Sequence, residues 1–295
     1  MKRVAFFGLG AMGRPMAVNL SRKFEVVAFD AKPEVRRTTL TMASSIRAAA
    51  SEADAIVTAL PAETDVEAVL MKEALLVARP GTLLIDCSTV SPNFAARLEK
   101  AASDKACFAI DAPMSGGVAA ATAGTLTFMV GGSEEAVVMA RPILEAMGSK
   151  VKRVGPSGSG CAAKLCNNMM LASQMIAVAE GLHLAEELGL DVDAAYDLFS
   201  TSTSRCWSLN DYPPVAGLGS KTSPANHDFK PGFSASLMLK DLDIAMAAAH
   251  DLKAYVPLGS KATDLYRKMC QTHAHKDFSA IIQLLRDSRD TTPPT

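Results

Sequence analysis

Lys164 and Asn168 stand four residues apart at the start of a long apolar-rich segment, directly after a run of glycine and serine. Residues four apart on an α-helix project from one face, so this spacing would bring an ammonium group beside an amide. A lysine whose charged form is disfavoured by burial can act as a general base, and an amide can orient it or bind a hydroxyl. The pair therefore indicates proton-transfer chemistry, whereas a lone helix lysine is more often simply solvated.

A second chemical feature is Ser115-Gly116-Gly117, which offers a hydroxyl and consecutive backbone amides that no side chain covers. Such amides form anion-binding concavities, and a small carboxylate would fit one. The same residues would also suit an ordinary turn that needs positive φ at glycine. The sequence leaves both interpretations open, and the first gains weight only from its neighbours.

A third feature is the glycine-rich run Gly8-Leu9-Gly10-Ala11-Met12-Gly13, which lies between a predicted strand at 4–8 and a predicted helix at 14–22. In this pattern the first glycine permits a tight turn, the second lets the backbone approach a pyrophosphate, and the third lets helix and strand pack closely. The phosphates would bind the free N–H groups at the helix start. Glycine turns also close ordinary strand–helix units, so the surrounding strand–turn–helix pattern is what favours a dinucleotide site.

The choice of dinucleotide depends on Asp30, which ends the next predicted strand at 25–29. A carboxylate at this place binds the 2′-hydroxyl of the adenosine ribose and repels a 2′-phosphate. Asp30 therefore predicts NAD rather than NADP. Two alternatives remain: Asp30 could be a solvated strand end, and Arg36 or Arg37 could bind a phosphate instead.

These residues must be positioned by the alternation of apolar strands and amphipathic helices that fills the first half of the chain. Strands are predicted at 4–8, 25–29, 55–60, 81–86, 107–111, 124–132 and 150–154, and helices at 14–22, 45–52, 64–71, 92–103 and 133–147, the last interrupted near Pro142. Such alternation is typical of an α/β fold, here a Rossmann-type doubly wound parallel sheet. Ligands bind such sheets at the carboxyl ends of their strands, where the candidate residues fall.

The second half of the chain is predicted to be helical. Helices are expected at 161–188, 191–199, 236–254, 257–270 and 277–285, with an irregular segment at 200–231 and a loose tail at 291–295. The first of these helices, about 40 Å long at 1.5 Å per residue, could cross between domains. The predicted domains are a dinucleotide-binding domain at 1–163 and an all-α substrate and dimerisation domain at 164–295.

Composition excludes several classes of function. The chain has 295 residues, a net charge near −1 and 49% hydrophobic residues, which gives no reason to expect a nucleic-acid or membrane partner. Its six cysteines and five histidines form no ligand pattern, so no metal is predicted. No apolar run approaches the ~20 residues of a membrane span, and the early strand leaves no room for a targeting segment.

Six ordered blocks of the chain resemble the β-hydroxyacid dehydrogenase family, which is related to 6-phosphogluconate dehydrogenases. The blocks are 8–13, 86–92, 111–117, 124–132, 158–168 and 239–242, so the resemblance covers essentially the whole chain. Three further stretches, 205–208, 223–226 and 278–285, resemble the members that act on 3-hydroxyisobutyrate in valine catabolism. The resemblance implies NAD-dependent oxidation of (S)-3-hydroxyisobutyrate to methylmalonate semialdehyde, with Lys164 as the general base.

The resemblance also implies roles for other residues. Ser115, Gly116, Gly117 and Asn168 would hold the small hydroxy-carboxylate substrate, with Ser115 and Asn168 joining Lys164 in the catalytic set. The implied cofactor-binding residues are Gly8, Leu9, Gly10, Ala11, Met12, Gly13, Asp30, Leu60, Pro61, Asp65, Thr89, Phe233 and Lys240. The family pattern has asparagine in place of Asp65 and serine in place of Cys87, so this chain departs from it at two positions.

Two alternative functions remain open at this level. One is a related reductase of tartronate semialdehyde, glyoxylate or succinic semialdehyde, against which the stretch 205–207 argues. The other is a non-catalytic dinucleotide-binding module, which would need neither Lys164 and Asn168 nor the Ser-Gly-Gly run. The resemblance and the apolar helical half predict a homodimer or homotetramer, mitochondrial in a processed eukaryotic form and otherwise cytoplasmic.

Overall fold

A computed structural model of the chain describes residues 2–36 and 38–287. The chain divides into two compact units, Met1–Lys164 and Leu165–Thr295. Arg37 and the tail predicted at 291–295 lie outside the described residues. Among the described residues, no helix is both long and apolar enough to span a membrane.

The first unit is built on one sheet, which has nine strands within the described residues. In chain order these are β1 Arg3–Phe7, β2 Glu25–Phe29, β3 Thr41–Met42, β4 Ala55–Thr58, β5 Leu83–Asp86, β6 Phe108–Asp111, β7 Met114–Ser115, β8 Leu126–Gly131 and β9 Gly148–Gly155. The spatial order is β3-β2-β1-β4-β5-β6-β8-β7, and β9 pairs with β8. The first six strands are parallel and have the order 3-2-1-4-5-6 of dinucleotide-binding sheets, so the predicted Rossmann-type fold is confirmed.

The central strands are buried on both faces, which explains their continuous apolar runs. In β1, Val4 and Phe6 point into one hydrophobic core while Ala5 and Phe7 point into the other. Helices cover both faces. Within the first unit they are α1 Gly13–Leu20, α2 Ile46–Ala50, α3 Glu63–Val66, α4 Pro92–Ser103, α5 Gly117–Ala123 and α6 Glu134–Leu144, and a π-helical stretch, Glu67–Ala74, continues α3.

Serine residues set the helix starts where the sequence predicts them. Ser45 caps α2 by accepting a bond from Ala48 N, and Ser91 caps α4 by accepting one from Phe94 N. Pro92 occupies the first turn of α4, where a missing N–H is tolerated. The predicted break near Pro142 is wrong, because α6 runs through Pro142 to Leu144. The carbonyl that loses its partner belongs to Val138, which is 70% exposed and can be hydrated.

The sheet departs from a wholly parallel arrangement after β6. β8 runs antiparallel to both β6 and β7, and β9 lies parallel to β8. The connection from β6 to β8 contains only the two-residue strand β7 and the seven-residue helix α5. The chain returns antiparallel through this connection. The strand β7 and the helix α5 were not predicted.

The second unit is helical, and one long helix begins in the first unit and ends in the second. The helices are α7 Ser159–Glu187, α8 Val192–Thr201, α9 Trp207–Asn210, α10 Ala235–Asp251, α11 Pro257–His273 and α12 Ile281–Asp287. α7 ends as predicted before Gly189, whose N–H bonds to the Glu186 carbonyl at 3.0 Å. The core of this unit combines apolar residues of α7, α10, α11 and α12 around the fully buried Tyr266.

Candidate active site

The three glycines of the glycine-rich turn have different surroundings, which fit their three different roles. Gly8 adopts φ +96°, and a Cβ there would come 2.4 Å from the Ala59 carbonyl oxygen, so only glycine fits. Gly10 is exposed, and a Cβ there would meet no atom within 4 Å, which leaves its backbone open to a ligand. A Cβ at Gly13 would come 1.9 Å from the Gly8 carbonyl oxygen, so this glycine lets α1 pack on the turn. This is the arrangement that a bound pyrophosphate requires.

Asp30 is held at the mouth of this turn by backbone groups. Its Oδ2 accepts a hydrogen bond from Leu9 N at 2.7 Å, and its Oδ1 accepts one from Lys32 N at 2.8 Å. Arg36 lies beside it, donating from Nε to the Asp30 carbonyl at 2.6 Å with its guanidinium 4.7 Å from the centre of the Phe29 ring. The carboxylate is thus fixed beside the glycine-rich turn, and Asp30 and Arg36, two of the residues weighed from the sequence, lie next to each other.

A buried carboxyl shapes the neighbouring strand ends. Asp86, the last residue of β5, accepts bonds at Oδ1 from the Thr58 hydroxyl at 2.8 Å and from Ser88 N at 3.0 Å. The Ser88 hydroxyl in turn accepts a bond from Leu60 N at 2.9 Å. Burial raises the pKa of Asp86, and the bonds from Ser88 and Thr58 oppose that rise. Asp86 therefore organises two of the loops at the carboxyl edge of the sheet.

The other residues expected at the cofactor in the first unit follow the same strands. Leu60 and Pro61 come after β4, Thr89 comes after β5, and Asp65 is exposed on α3. Ser88 links the first and second of these loops through its bond to Leu60 N. Their roles at a cofactor stay predictions.

Ser115, Gly116 and Gly117 form the bend between β7 and α5. Ser115 pairs with Thr127 of β8, Gly116 adopts φ +129°, and Gly117 adopts φ +67°. A Cβ at Gly117 would meet nothing within 4 Å, so the amides of the bend are open on that side. The positive φ angles account for both glycines on conformational grounds, and the open side is compatible with a bound carboxylate.

The helix that carries Lys164 starts on a second buried carboxylate. Asp111 Oδ1 accepts a bond from Gly158 N at 2.7 Å, and its Oδ2 accepts one from Cys161 N at 2.8 Å. Lys164 follows Cys161 by three residues on α7 and is half-buried. Asn168 lies four residues further along the same helix, so both side chains leave one face, as the spacing predicts.

Asn168 is 1% exposed and its amide is already engaged within the second unit. Its Nδ2 donates to Asp241 Oδ2 at 2.6 Å, and its Oδ1 accepts a bond from Asn167 Nδ2 at 3.1 Å. The Lys240 ammonium lies 3.0 Å from Asp241 Oδ1, as an ion pair rather than a well-directed hydrogen bond. Asp241 thus joins one residue expected at the substrate to one expected at the cofactor.

Phe233, the remaining residue expected at the cofactor, is held by Asp277. Asp277 Oδ2 accepts bonds from Phe233 N at 3.0 Å, from Gly232 N at 2.9 Å and from the Tyr212 hydroxyl at 3.0 Å. Burial raises the pKa of Asp277, and the hydrogen bonds from Phe233 N, from Ser279 and from the Tyr212 hydroxyl oppose the rise. The Phe233 ring lies edge-on to Phe278 with centroids 5.9 Å apart.

Sequence reasoning missed the four anchoring carboxylates, Asp86, Asp111, Asp241 and Asp277. A signal existed for the first two, because each ends an apolar strand with a charged residue that is hard to bury. No comparable signal marks Asp241 within its helix. Across residues 2–36 and 38–287, no group of three or more His, Cys, Asp or Glu side chains could hold a metal ion.

Comparison with known proteins assigns both halves of the chain. Residues 3–155 match the NAD binding domain of 6-phosphogluconate dehydrogenase, and residues 158–285 match the NAD-binding family of NADP-dependent 3-hydroxyisobutyrate dehydrogenase. A probable 3-hydroxyisobutyrate dehydrogenase of Mycobacterium bovis is 45% identical, covering 98% of this chain and 100% of its own length.

Two further relatives are informative about ligands. An NAD-dependent L-serine dehydrogenase of Pseudomonas aeruginosa is 41% identical, covering 96% of this chain and 98% of its own length. A solved structure of Mycobacterium tuberculosis 3-hydroxyisobutyrate dehydrogenase with L-serine superimposes with a TM-score of 0.90 at 45% identity, covering 97% of this chain and 99% of that one. The chain therefore belongs to the β-hydroxyacid dehydrogenase family, as an NAD-binding oxidoreductase similar to the 3-hydroxyisobutyrate dehydrogenases.

Proposed function

We propose that this protein oxidises (S)-3-hydroxyisobutyrate to methylmalonate semialdehyde with NAD, as a step of valine breakdown. The observation that carries the proposal is Lys164, which stands one turn beyond the point where α7 docks on the end of β6, beside the strand ends that bind ligands in this fold. The identity to 3-hydroxyisobutyrate dehydrogenases over nearly the whole chain supports the choice of substrate.

Each residue of the proposed substrate site has a separate role in the reaction. Oxidation of the alcohol removes a hydride from carbon and a proton from oxygen, and NAD supplies the hydride acceptor when bound. Lys164 Nζ takes the hydroxyl proton as general base. The Ser115 hydroxyl and the amides of Gly116 and Gly117 bind the substrate carboxylate. Asn168, held by Asp241, keeps one amide hydrogen for the substrate hydroxyl or for Lys164.

Most of the proposed cofactor-binding residues lie in the first unit. The backbone at Gly10, which is open, would receive the pyrophosphate, and Asp30, which accepts a bond from Leu9 N, would bind the ribose hydroxyls. Leu60, Pro61 and Thr89 line the neighbouring loops, and the remaining members of the set are Gly8, Leu9, Ala11, Met12, Gly13, Asp65, Phe233 and Lys240. The proposed domains are a dinucleotide-binding domain at 1–163 and an all-α substrate and dimerisation domain at 164–295.

L-Serine is a second candidate substrate. It is also a 3-hydroxy acid, with an ammonium group at the carbon where 3-hydroxyisobutyrate carries a methyl group. The 41% identical relative named as an L-serine dehydrogenase favours it. The carboxylate clamp and the base would be used in the same way, so the two substrates differ only in the pocket around that carbon.

Steady-state kinetics of NADH formation test the proposal on 3-hydroxyisobutyrate, L-serine, 3-hydroxypropionate, 3-hydroxybutyrate and glycerate. We expect the highest kcat/KM for 3-hydroxyisobutyrate; a higher value for L-serine would move the assignment to the second candidate. Absence of turnover on every hydroxy acid, with NAD still bound, would indicate a non-catalytic module. Semialdehydes assayed with NADH would identify a reductase.

The variant Lys164→Ala tests the base. We expect kcat to fall by about 10²–10⁴-fold, the usual contribution of a positioned acid–base group, with the Kd for NAD little changed. Lys152→Ala, which removes an exposed lysine of β9, is the matched control and should behave as wild type. Near-normal turnover in Lys164→Ala would end the assignment of the base.

A homodimer or homotetramer is also proposed. Large apolar side chains are exposed on α7 and α8 and in the turn between them, with Leu184, Leu188, Leu190 and Leu198 each more than half exposed. Exposed apolar surface of this kind marks interaction sites. Light scattering that detects only monomer at micromolar concentration would contradict this part of the proposal.

A further inference from the structure

The start of α7 rests on a carboxylate that the proposed reaction does not use. We propose that Asp111 is the positioning residue for Lys164: its carboxylate fixes the first turn of α7 to the end of β6 and thereby sets where the base stands. This inference builds on the proposed role of Lys164 as general base.

The contacts that carry the inference are direct. Asp111 is 2% exposed, and each of its two carboxylate oxygens accepts one backbone bond from the start of α7, at 2.7 Å from Gly158 N and 2.8 Å from Cys161 N. The first N–H groups of a helix have no partner within the helix. A capping residue normally comes from the adjoining chain, whereas here a strand supplies the acceptor across 47 and 50 positions of sequence.

Glycines permit this close approach. A Cβ at Gly160 would come 2.8 Å from Asp111 Oδ2 and 2.4 Å from the Met129 carbonyl oxygen. A Cβ at Gly131, which pairs with Asp111 across the sheet, would come 2.5 Å from Asp111 Oδ1 and 2.8 Å from Gly160 N. The helix start is therefore seated against β6 and β8 with no spare room, so a change in the anchor must move the helix.

Charge favours the same arrangement. A carboxylate at the N-terminal end of a helix is stabilised by the helix dipole and by the N–H groups that it accepts. Asp86 lies directly opposite Asp111 on β5, and two neighbouring buried carboxyls resist being ionised together. Burial raises the pKa of Asp86, and the negative charge of Asp111 on the neighbouring strand adds to that rise.

The anchor acts on Lys164 through one rigid turn. Lys164 follows Cys161 by three residues, about 4.5 Å along the helix axis at 1.5 Å per residue. A misplacement of about 1 Å at a reacting group can reduce the rate by about 10²-fold. The Asp111 carboxylate touches neither substrate nor cofactor in this scheme, so its effect is on the position of the base alone.

Asp111→Asn tests the inference with minimal change of shape. The amide keeps one accepting oxygen but directs N–H groups at the other backbone donor, so one of the two bonds is lost. We expect kcat to fall about 10- to 100-fold with the Kd for NAD within about threefold of wild type, because the cofactor turn lies on β1 and α1. The deuterium isotope effect on kcat with substrate labelled at the oxidised carbon should rise, because hydride transfer becomes slower than product release.

The matched control is Asp54→Asn. Asp54 also accepts two backbone bonds, from Lys2 N at 2.7 Å and Arg3 N at 3.1 Å, but at the opposite end of the strands. This variant should leave kcat and the isotope effect unchanged. If Asp111→Asn does not fold, Gly160→Ala displaces the same helix start and should produce the same kinetic pattern.

Hydrogen exchange provides a readout that does not depend on turnover. Amides of residues 158–164 should exchange faster in Asp111→Asn than in wild type, with no change in the peptide around Gly8–Gly13. A kcat within twofold of wild type, or a lower kcat with an unchanged isotope effect, would overturn the inference, since the latter reports only loss of folded enzyme. Normal kinetics of Asp111→Asn beside an inactive Lys164→Ala would reject the positioning role alone, whereas an active Lys164→Ala would reject the base itself.

Discussion

Replacement of Asp30 by asparagine should weaken the preference for NAD over NADP. In the wild-type protein the carboxylate is fixed at the proposed ribose site, because Leu9 N and Lys32 N each donate a hydrogen bond to one of its oxygens. A 2′-phosphate bound there would meet a fixed negative charge. Asparagine keeps the size of the side chain and one accepting oxygen for a ribose hydroxyl, so the variant removes chiefly the charge.

The magnitude follows from Coulomb's law. Two unit charges about 4 Å apart repel by about 1 kcal/mol in water and by about 4 kcal/mol at the effective dielectric constant of a protein surface. Asp30 is partly exposed, which places the repulsion nearer the lower figure, at about 2 kcal/mol. Since 1.36 kcal/mol is a tenfold change, the ratio of kcat/KM with NAD to that with NADP should fall about 30-fold.

The assay compares kcat/KM for the two cofactors at saturating substrate in wild type, Asp30→Asn and the remote control Asp54→Asn. Loss of one backbone bond at residue 30 affects both cofactors alike and cancels in the ratio. Arg36→Ala tests the competing interpretation, because Arg36 lies close enough to take a phosphate. A ratio within threefold of wild type in Asp30→Asn would refute the electrostatic argument, as would a larger change from Arg36→Ala.

Two further predictions concern the glycine turn and the buried carboxyl of β5. Gly10→Ala should keep its thermal stability but bind NAD more weakly, because the added methyl group enters open space that the ligand needs. Gly13→Ala should lower the free energy of unfolding by about 1–3 kcal/mol, because its methyl group overpacks against Gly8. Chemical denaturation and NAD titration distinguish the two effects, and equal stability of the two variants would contradict the packing argument. The folded-state pKa of Asp86 lies above its ordinary value of 3.8. Its contribution to the free energy of unfolding is therefore complete below pH 3.8 and is lost as the pH rises through the folded-state pKa. The Tm of Asp86→Asn minus the Tm of wild type should therefore increase as the pH is raised from about 4 to 8. A difference that stays constant or decreases in calorimetry would contradict this prediction.

Much of the fold could be predicted because its signals are local. The strand at 25–29 and the helix at 92–103 have the predicted bounds, since each is a continuous apolar or periodic run with clear ends. The segment between β6 and β8 could not be predicted, because its alanine, glycine and threonine residues have no strong periodicity. The reversed direction of β8 depends on its pairing with β6, β7 and β9, which a local pattern does not show.

Residues of the candidate site could be predicted only where they belong to a known sequence motif. The glycine turn and Asp30 are recognised from spacing, and the structure gives each glycine the space that the motif requires. Asp111 and Asp241 are different, because their partners lie 47 and 73 positions away and backbone or side-chain amides mark no pattern in sequence. A carboxylate that serves as an anchor is identified only once the distant donors are seen beside it.

The place of β1 in the sheet has a consequence for how the chain folds. Among the described strands, β1 comes earliest in the chain, and it lies in the interior of the sheet with β2 on one side and β4 on the other. β1 cannot complete its pairing until residues 55–58 have been synthesised and can form β4. Until then, one edge of β1 has no partner strand. Pairings between distant segments of this kind slow folding relative to local ones. The N-terminal unit is therefore expected to form its sheet late and cooperatively, around β1, rather than strand by strand from the N-terminus.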